Sequence, residues 1–94
     1  MTMKLYVEIP HRRPAIAYFA TDSQMIEFAC KNESEYLDQN YGDEKTTIEQ
    51  AIEAIGHDLS GLLVFNSKQE AIDYFKQPFP IHGEESALKA IYAI

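Results

Sequence analysis

The sequence has few of the residues on which disulfide-stabilised, membrane-spanning and nucleotide-binding proteins depend. Its 94 residues include one cysteine, no tryptophan, four glycines and four prolines. The lone Cys30 has no partner for an internal disulfide, and no apolar run approaches the roughly 18 residues that a membrane span needs. Four separated glycines make no glycine-rich loop for phosphates. We therefore expect neither a disulfide framework, nor a membrane span, nor a nucleotide site.

Basic residues are also scarce. Eight Lys and Arg stand against fifteen Asp and Glu, a formal net charge of −7 with His neutral. A negative field repels phosphates at long range, which argues against direct binding to nucleic acids or anionic membranes. Glu8 interrupts the N-terminal apolar run that a signal peptide would keep. Together with the single cysteine, this favours the cytoplasm as the location.

The composition is that of a folded globule. Hydrophobic residues make up 46% of the chain, with six Tyr and five Phe, which is too apolar for a disordered acidic tail. A chain of this length buries roughly 60 to 65% of its unfolded surface, enough for one core. We expect a single compact domain over residues 1–94.

The first twenty residues predict a β-hairpin. Residues 3–9 alternate as a half-buried strand does, residues 10–14 contain two prolines and predict a turn, and residues 15–20 form an apolar run of strand length. Neighbouring strands joined by a short turn pair antiparallel.

Three capping-box patterns predict where helices begin. In this pattern a Ser or Thr oxygen accepts from an orphan backbone N–H, and a Glu or Gln three residues later reaches back. The pairs are Thr21 with Gln24, Thr46 with Glu49, and Ser67 with Glu70. We expect Tyr36 and Leu37 to extend the apolar face of the first helix.

The remaining segments follow from local patterns. Residues 40–43 predict a turn, residues 62–65 a buried strand, and residues 78–83, with two prolines, a loop. Residues 84–94 fit either a helix or a closing strand.

The predicted elements define a small α+β fold, or a small α/β one. We expect a three-stranded or slightly larger sheet with three to four helices packed on one face. Two strand-cap-helix units have similar sequence patterns at an offset of 46 residues. Residues 16–19 match residues 62–65, and Thr21 matches Ser67.

The acidity is local. Residues 22–58 hold ten acids against Lys31 and Lys45, a net of −8, while the rest of the chain sums to +1. Such a segment is a solvated face or a surface that attracts a basic partner. Tyr36 and Tyr41 lie among the acids, and tyrosine is frequent at interface hot spots. The candidate partner-binding residues are Glu33, Glu35, Asp38, Tyr41, Asp43, Glu44, Glu49 and Glu53.

Other chemistries find little support. Residues 38–49 approach a calcium-loop pattern but place Asp43 where the turn needs glycine. The histidines stand singly, and His57 suits a helix C-terminus. Cys30 lies among glutamates that disfavour its thiolate, so we expect a buried or partly buried structural thiol. We therefore expect no catalytic residue, metal or cofactor. The basic turn His11-Arg12-Arg13 is either a solvated turn or a site for phosphate or an acidic partner.

In size, acidity, cytoplasmic character and compact mixed fold, the chain resembles bacterial toxin-immunity proteins, including those of contact-dependent growth inhibition systems. The resemblance implies a noncatalytic inhibitor that covers the basic surface of a partner, a toxin nuclease domain. The protein itself would be a monomer or a weak homodimer.

Three other hypotheses stay open. One is a structural or regulatory subunit that self-associates through an exposed edge strand. A phage anti-defence protein that mimics DNA would use the same acids against a nucleic-acid-binding complex. A small ligand-binding or enzymatic α+β module would instead use an acid from residues 33–44 with His57 or His82 as acid-base groups.

Overall fold

The computed structural model describes residues 2–42, 44–77 and 84–94, without the side chain of Glu84. The elements follow one another as β1 (Lys4–Ile9), β2 (Ile16–Ala20), α1 (Asp22–Asn32), α2 (Ser34–Tyr41), α3 (Ile48–Gly56), β3 (Gly61–Phe65), α4 (Lys68–Phe75) and α5 (Glu84–Tyr92). This is a small α+β fold, as predicted. The described residues form five helices where three to four were expected.

The sheet is built around β1. Its strand order is β2-β1-β3, and both outer strands run antiparallel to β1. Tyr6 pairs with Tyr18 on one side and with Val64 on the other. The predicted hairpin of the first two strands is therefore confirmed.

Helices cover both faces of the sheet, so the expectation that they pack on one face was wrong. Side chains alternate along a strand, and β1 is buried at four of its six positions, which fall on both faces. Leu5, Val7 and Ile9 point to a first face and pack with buried residues of α4 and α5. Tyr6 points to a second face, which is covered by α1, α2 and α3. A strand buried on both sides needs a helical layer on each.

The helix starts follow the predicted caps with one shift. Thr21 Oγ1 accepts from the Gln24 N–H at 3.2 Å, and Gln24 Oε1 accepts from the Thr21 N–H at 2.9 Å. Ser67 Oγ accepts from the N–H of Glu70. The middle cap is Thr47 with Gln50, one residue later than predicted. Tandem threonines make both registers available, and tertiary packing selects the second.

Three further segments can be compared with their predictions. The first helical region is broken in two at Glu33, whose φ of −125° is not helical. Residues 40 and 41 end α2 rather than form a turn, and Gly42 follows with φ +66°. Residues 84–92 are helical, which decides between helix and strand. Asp43 and the predicted loop 78–83 lie outside the described residues.

The two strand-cap-helix units occupy equivalent places. β2 and β3 flank β1 on opposite edges and run in the same direction. Their helices, α1 and α4, cover opposite faces. An approximate half-turn about β1 therefore relates one unit to the other.

Candidate partner-binding surface

The acidic segment folds onto the second face of the sheet. Helices α1, α2 and α3 bury small and aliphatic side chains there, among them Ala29, Leu37 and Ala51. Apolar residues at helical spacing leave the opposite sides of the helices to solvent. Those sides carry Glu35, Asp38, Glu49 and Glu53, all exposed. With the exposed Glu44, in the loop between α2 and α3, and the half-buried Glu33, they form the acidic surface.

Two tyrosines hold one carboxylate at the centre of this surface. The hydroxyls of Tyr36 and Tyr41, both on α2, donate to the same oxygen, Glu53 Oε2 on α3, each at 2.7 Å. Both rings are half-buried and pack against the second-face core. Glu53 therefore links α2 to α3, and its side chain is held although it is exposed.

The hydrogen bonds shift the pKa values of all three groups. They stabilise ionised Glu53, which lowers its pKa below the ordinary 4.5, with Tyr41 as the largest cause. The same bonds stabilise the neutral phenols, and the bond to Glu53 is the main reason why the pKa of Tyr41 is raised to about 12. The pKa of Tyr36 is also raised, chiefly by its bond to Glu53. The site is thus a carboxylate anion with two neutral donors.

Glu33 is engaged by His57. Glu33 Oε1 lies 2.8 Å from His57 Nε2, and Asp58 Oδ2 lies 3.4 Å from the same nitrogen. The Tyr36 ring stacks on the imidazole with ring centroids 4.4 Å apart. His57 is the C-cap of α3, the helix end that sequence reasoning gave it. Of the predicted partner-binding acids that the structure describes, Glu33 is therefore the one already beside a cationic group when His57 is protonated.

The same three residues are the group in the described structure that could hold a metal ion. One ligand atom from each of Glu33, His57 and Asp58 lies within 4.8 Å of the others. Sequence spacing could not suggest this, because Glu33 is 24 residues away from His57. An imidazole between two carboxylates is equally the arrangement of an ordinary surface ion pair, so the geometry alone assigns no metal.

Two open grooves border α2 on opposite sides. One, of about 410 Å³, is lined by Glu33, Glu35, Tyr36, His57 and Asp58 among others. The second, of about 230 Å³, includes Asp38, Tyr41 and Glu44. Both grooves are open and rimmed by carboxylates, a form that suits protruding basic side chains of a partner.

The structure separates the predicted site residues into groups. Tyr41 and Glu53 meet, Glu33 joins His57, and Asp38 and Glu44 share a groove. Glu35 accepts a long hydrogen bond, 3.4 Å, from Gln39. Glu49 is exposed in the first turn of α3, and Asp43 lies outside the described residues.

Tyr36 is the residue that sequence reasoning left out of the site. Its position among the acids pointed to the site, but an aromatic residue on a helix is also a candidate for the core. Tyr36 has both roles, because its ring packs against the core and its hydroxyl donates to Glu53. Cys30, expected as a structural thiol, is instead exposed, with Sγ 3.5 Å from Thr46 Oγ1.

Comparison of the chain with protein-family models, curated proteins and solved structures finds no match. Across the described ranges, no helix combines the length and apolar character that crossing a membrane requires.

Proposed function

We propose that this protein is a noncatalytic binding protein whose acidic surface docks on a basic partner and blocks it by occupation. The observation that carries the proposal is the Glu53 carboxylate held by the hydroxyls of Tyr36 and Tyr41. A carboxylate fixed before binding loses less side-chain entropy when it meets a basic group than a free one does. Adjacent aromatic rings supply rigid apolar contact area.

Charge favours the same function. The acidic surface lies on the segment that contributes a net of −8, and such a field speeds association with a cationic surface. Grooves on both sides of α2 offer carboxylates to Arg or Lys side chains, which pair with them by charge-assisted hydrogen bonds.

Within this class, we assign the protein to toxin neutralisation. The partner is a basic toxin nuclease, whose surface is built to bind phosphates, and the carboxylates occupy the places of those phosphates. The assignment rests on the resemblance in size and charge to bacterial immunity proteins, and it places the protein in the cytoplasm. A phage DNA mimic would use the same acids, and the identity of the captured partner separates the two.

The test compares two variants with the same charge change. Glu35→Lys, Asp38→Lys and Glu49→Lys together reverse the acidic surface. Their matched control reverses exposed acids of α4 and α5 (Glu70→Lys, Asp73→Lys and Glu85→Lys). Each immobilised protein is incubated with native-cell extract at low salt and eluted in salt steps, with mass spectrometry of the eluates. We expect the wild type and the control variant to capture a stoichiometric basic nuclease, and the variant with the reversed acidic surface to capture none.

Equal capture by both variants would show that the acidic surface is not the contact. Capture of a subunit of a DNA-binding defence complex would support the DNA-mimic alternative instead. An acidic or neutral partner released by detergent rather than by salt would end the charge-based proposal.

A second candidate, the small ligand-binding or enzymatic module, draws on the groove at Glu33, Tyr36 and His57. A carboxylate beside an imidazole is a common acid-base pair. If this groove binds a ligand, the His57→Gln variant should lose that binding. The wild type should then capture no basic protein.

A further inference from the structure

A further groove lies between β2 and α1 and shares no residue with the acidic surface. Its volume is about 390 Å³, and its lining is chiefly apolar, with Tyr18, Met25 and Phe28 among the members and Glu8 and Gln24 as polar ones. Small-molecule sites have volumes of roughly 300 to 1,000 Å³ and combine apolar walls with a few polar groups. The groove has both properties.

Aromatic rings form much of its wall. Phe28 is 50% exposed and Phe19 44%, although both are large apolar side chains. The half-buried Tyr18 ring stacks on the fully buried Tyr6, with ring centroids 5.8 Å apart, and is therefore held in place. The faces of such rings attract organic cations as well as apolar groups. A ligand with an apolar body would remove this exposed aromatic surface from water.

Glu8 is the charged residue of the lining. It follows Tyr6 by two residues on β1 and so shares the second face of the sheet. The Tyr18 hydroxyl donates to Glu8 Oε2, while Oε1 accepts no hydrogen bond within the described residues. Burial and this bond raise the pKa of Tyr18, which keeps the phenol neutral and donating. The carboxylate is thus held in position with one oxygen left for another donor.

The described residues bring no cation to Glu8. Lys4 is on the same face of β1 but lies four residues away, about 13 Å along the strand, where it is beside Asp22. The basic turn at residues 11–13 is exposed, and no ion pair within the described ranges includes Glu8. Electrostatic complementarity therefore favours a positive group in this groove over a neutral or negative one.

The groove is also short. Its α1 wall extends from Gln24 to Phe28, about 6 Å along the helix axis, and its β2 wall from Tyr18 to Ala20. An extended peptide would leave the groove at both ends after about two residues. The dimensions therefore suit a compact ligand.

We propose that this groove binds a small organic cation, a primary amine on an aromatic or branched aliphatic body. The ammonium group donates to Glu8 Oε1, and the body packs against Tyr18, Met25 and Phe28. This site does not depend on the function proposed above, because it uses none of the residues of the acidic surface.

The first test is an NMR titration of the full chain at neutral pH and fixed ionic strength with three probes of different charge. They share a phenyl ring and are 2-phenylethylammonium, the neutral 2-phenylethanol and the anionic phenylacetate. We expect the ammonium to bind with a Kd of about 1 mM or tighter and to shift the amide resonances of residues 18–20 and 24–28. The alcohol should bind at least about tenfold more weakly, and the anion more weakly still.

Two variants with the same loss of charge separate Glu8 from the general negative field. Glu8→Gln, which keeps an acceptor for the Tyr18 hydroxyl, should abolish the preference for the ammonium over the alcohol. Glu27→Gln removes an exposed acid that does not line the groove, and it should keep the preference. Phe28→Ala changes a half-exposed ring and should weaken the binding of both probes by about fivefold.

An ammonium probe that shifts no groove resonance at about 10 mM, or that binds no more tightly than the alcohol, would overturn the proposal. Equal loss of the preference in Glu8→Gln and Glu27→Gln would do the same. A capped tetrapeptide, acetyl-Gly-Phe-Lys-Gly-amide, carries a phenyl ring and an ammonium group on a peptide backbone. Tighter binding by this peptide than by the free amine would overturn the assignment to a small molecule.

Discussion

The hydroxyl of Tyr41 donates to Glu53 Oε2 at 2.7 Å, and this bond ties the last residue of α2 to the middle of α3. Because Tyr36 donates to the same oxygen, one carboxylate holds α2 near its start and at its end. The acidic surface therefore owes its shape to side chains that also hold the helices together.

Removing the Tyr41 hydroxyl should loosen this link. Tyr41→Phe keeps the ring against the second-face core but deletes one hydrogen bond to Glu53. We expect a melting temperature lower by a few degrees, about what the loss of one hydrogen bond produces in a domain of this size. Tyr74→Phe is the control, because Tyr74 is half-buried and its hydroxyl has no hydrogen bond within the described residues. An equal effect of both variants would contradict the link.

Alkaline titration should reveal the tyrosines that Glu53 holds. The pKa of Tyr41 is raised from 10.0 to about 12, so its contribution to stability is complete below pH 10 and is lost as the pH rises towards 12. Tyrosinate absorbance measures this cleanly, because the chain has no tryptophan. Glu53→Gln should bring the pKa values of Tyr36 and Tyr41 back towards 10, whereas Tyr6 and Tyr18, whose pKa values are raised mainly by burial, should ionise late in both proteins. An unchanged titration curve would argue against the shared carboxylate.

The carboxylate itself should titrate early. Two phenol donors lower the pKa of Glu53 below 4.5, so the stability it contributes is present above pH 4.5 and is lost as the pH falls through the lowered value. Carboxyl NMR of the wild type measures this pKa. In the Tyr36→Phe, Tyr41→Phe double variant, Glu53 should titrate near its ordinary pKa of 4.5. The same lowered pKa in the wild type and the double variant would contradict the assigned cause.

Removing the Tyr6 hydroxyl should not destabilise the protein. It is fully buried, and its hydroxyl has no hydrogen-bond partner in the described structure. Tyr6→Phe should leave the free energy of unfolding unchanged or raise it by up to about 1 kcal/mol, because an unsatisfied buried polar group is removed. Tyr18→Phe, which loses a bond to Glu8, should lower it by about 1 kcal/mol. Urea unfolding of dilute protein compares them.

Gly42 and Gly56 should respond to alanine in opposite ways. Gly42 has φ +66° and ψ −136°, a conformation that L side chains rarely adopt. A Cβ there meets nothing within 4 Å, so the loss from Gly42→Ala, about 1 to 3 kcal/mol, is backbone strain. Gly56 ends α3, and its added Cβ would lie 3.5 Å from Leu62 Cβ. Gly56→Ala should be neutral or stabilising. Thermal unfolding of both variants tests the contrast.

Local features of this fold could be predicted because their causes lie within a few residues. Thr21 meets Gln24 and Ser67 meets Glu70 in the first turn of a helix, and proline at positions 10 and 14 separates two strands wherever the rest of the chain lies. Among the three predicted caps, the one that shifts is at Thr46 and Thr47, which offer two registers.

The sequence by itself determined the strands, most helix starts, the α+β class and the confinement of negative charge to one segment. The tertiary structure decided that helices cover both faces, that Tyr36 and Tyr41 converge on Glu53, and that Glu33 meets His57. These contacts join residues 12 to 24 positions apart. Helix packing sets such distances through many weak apolar contacts at once, and no short sequence pattern encodes their sum.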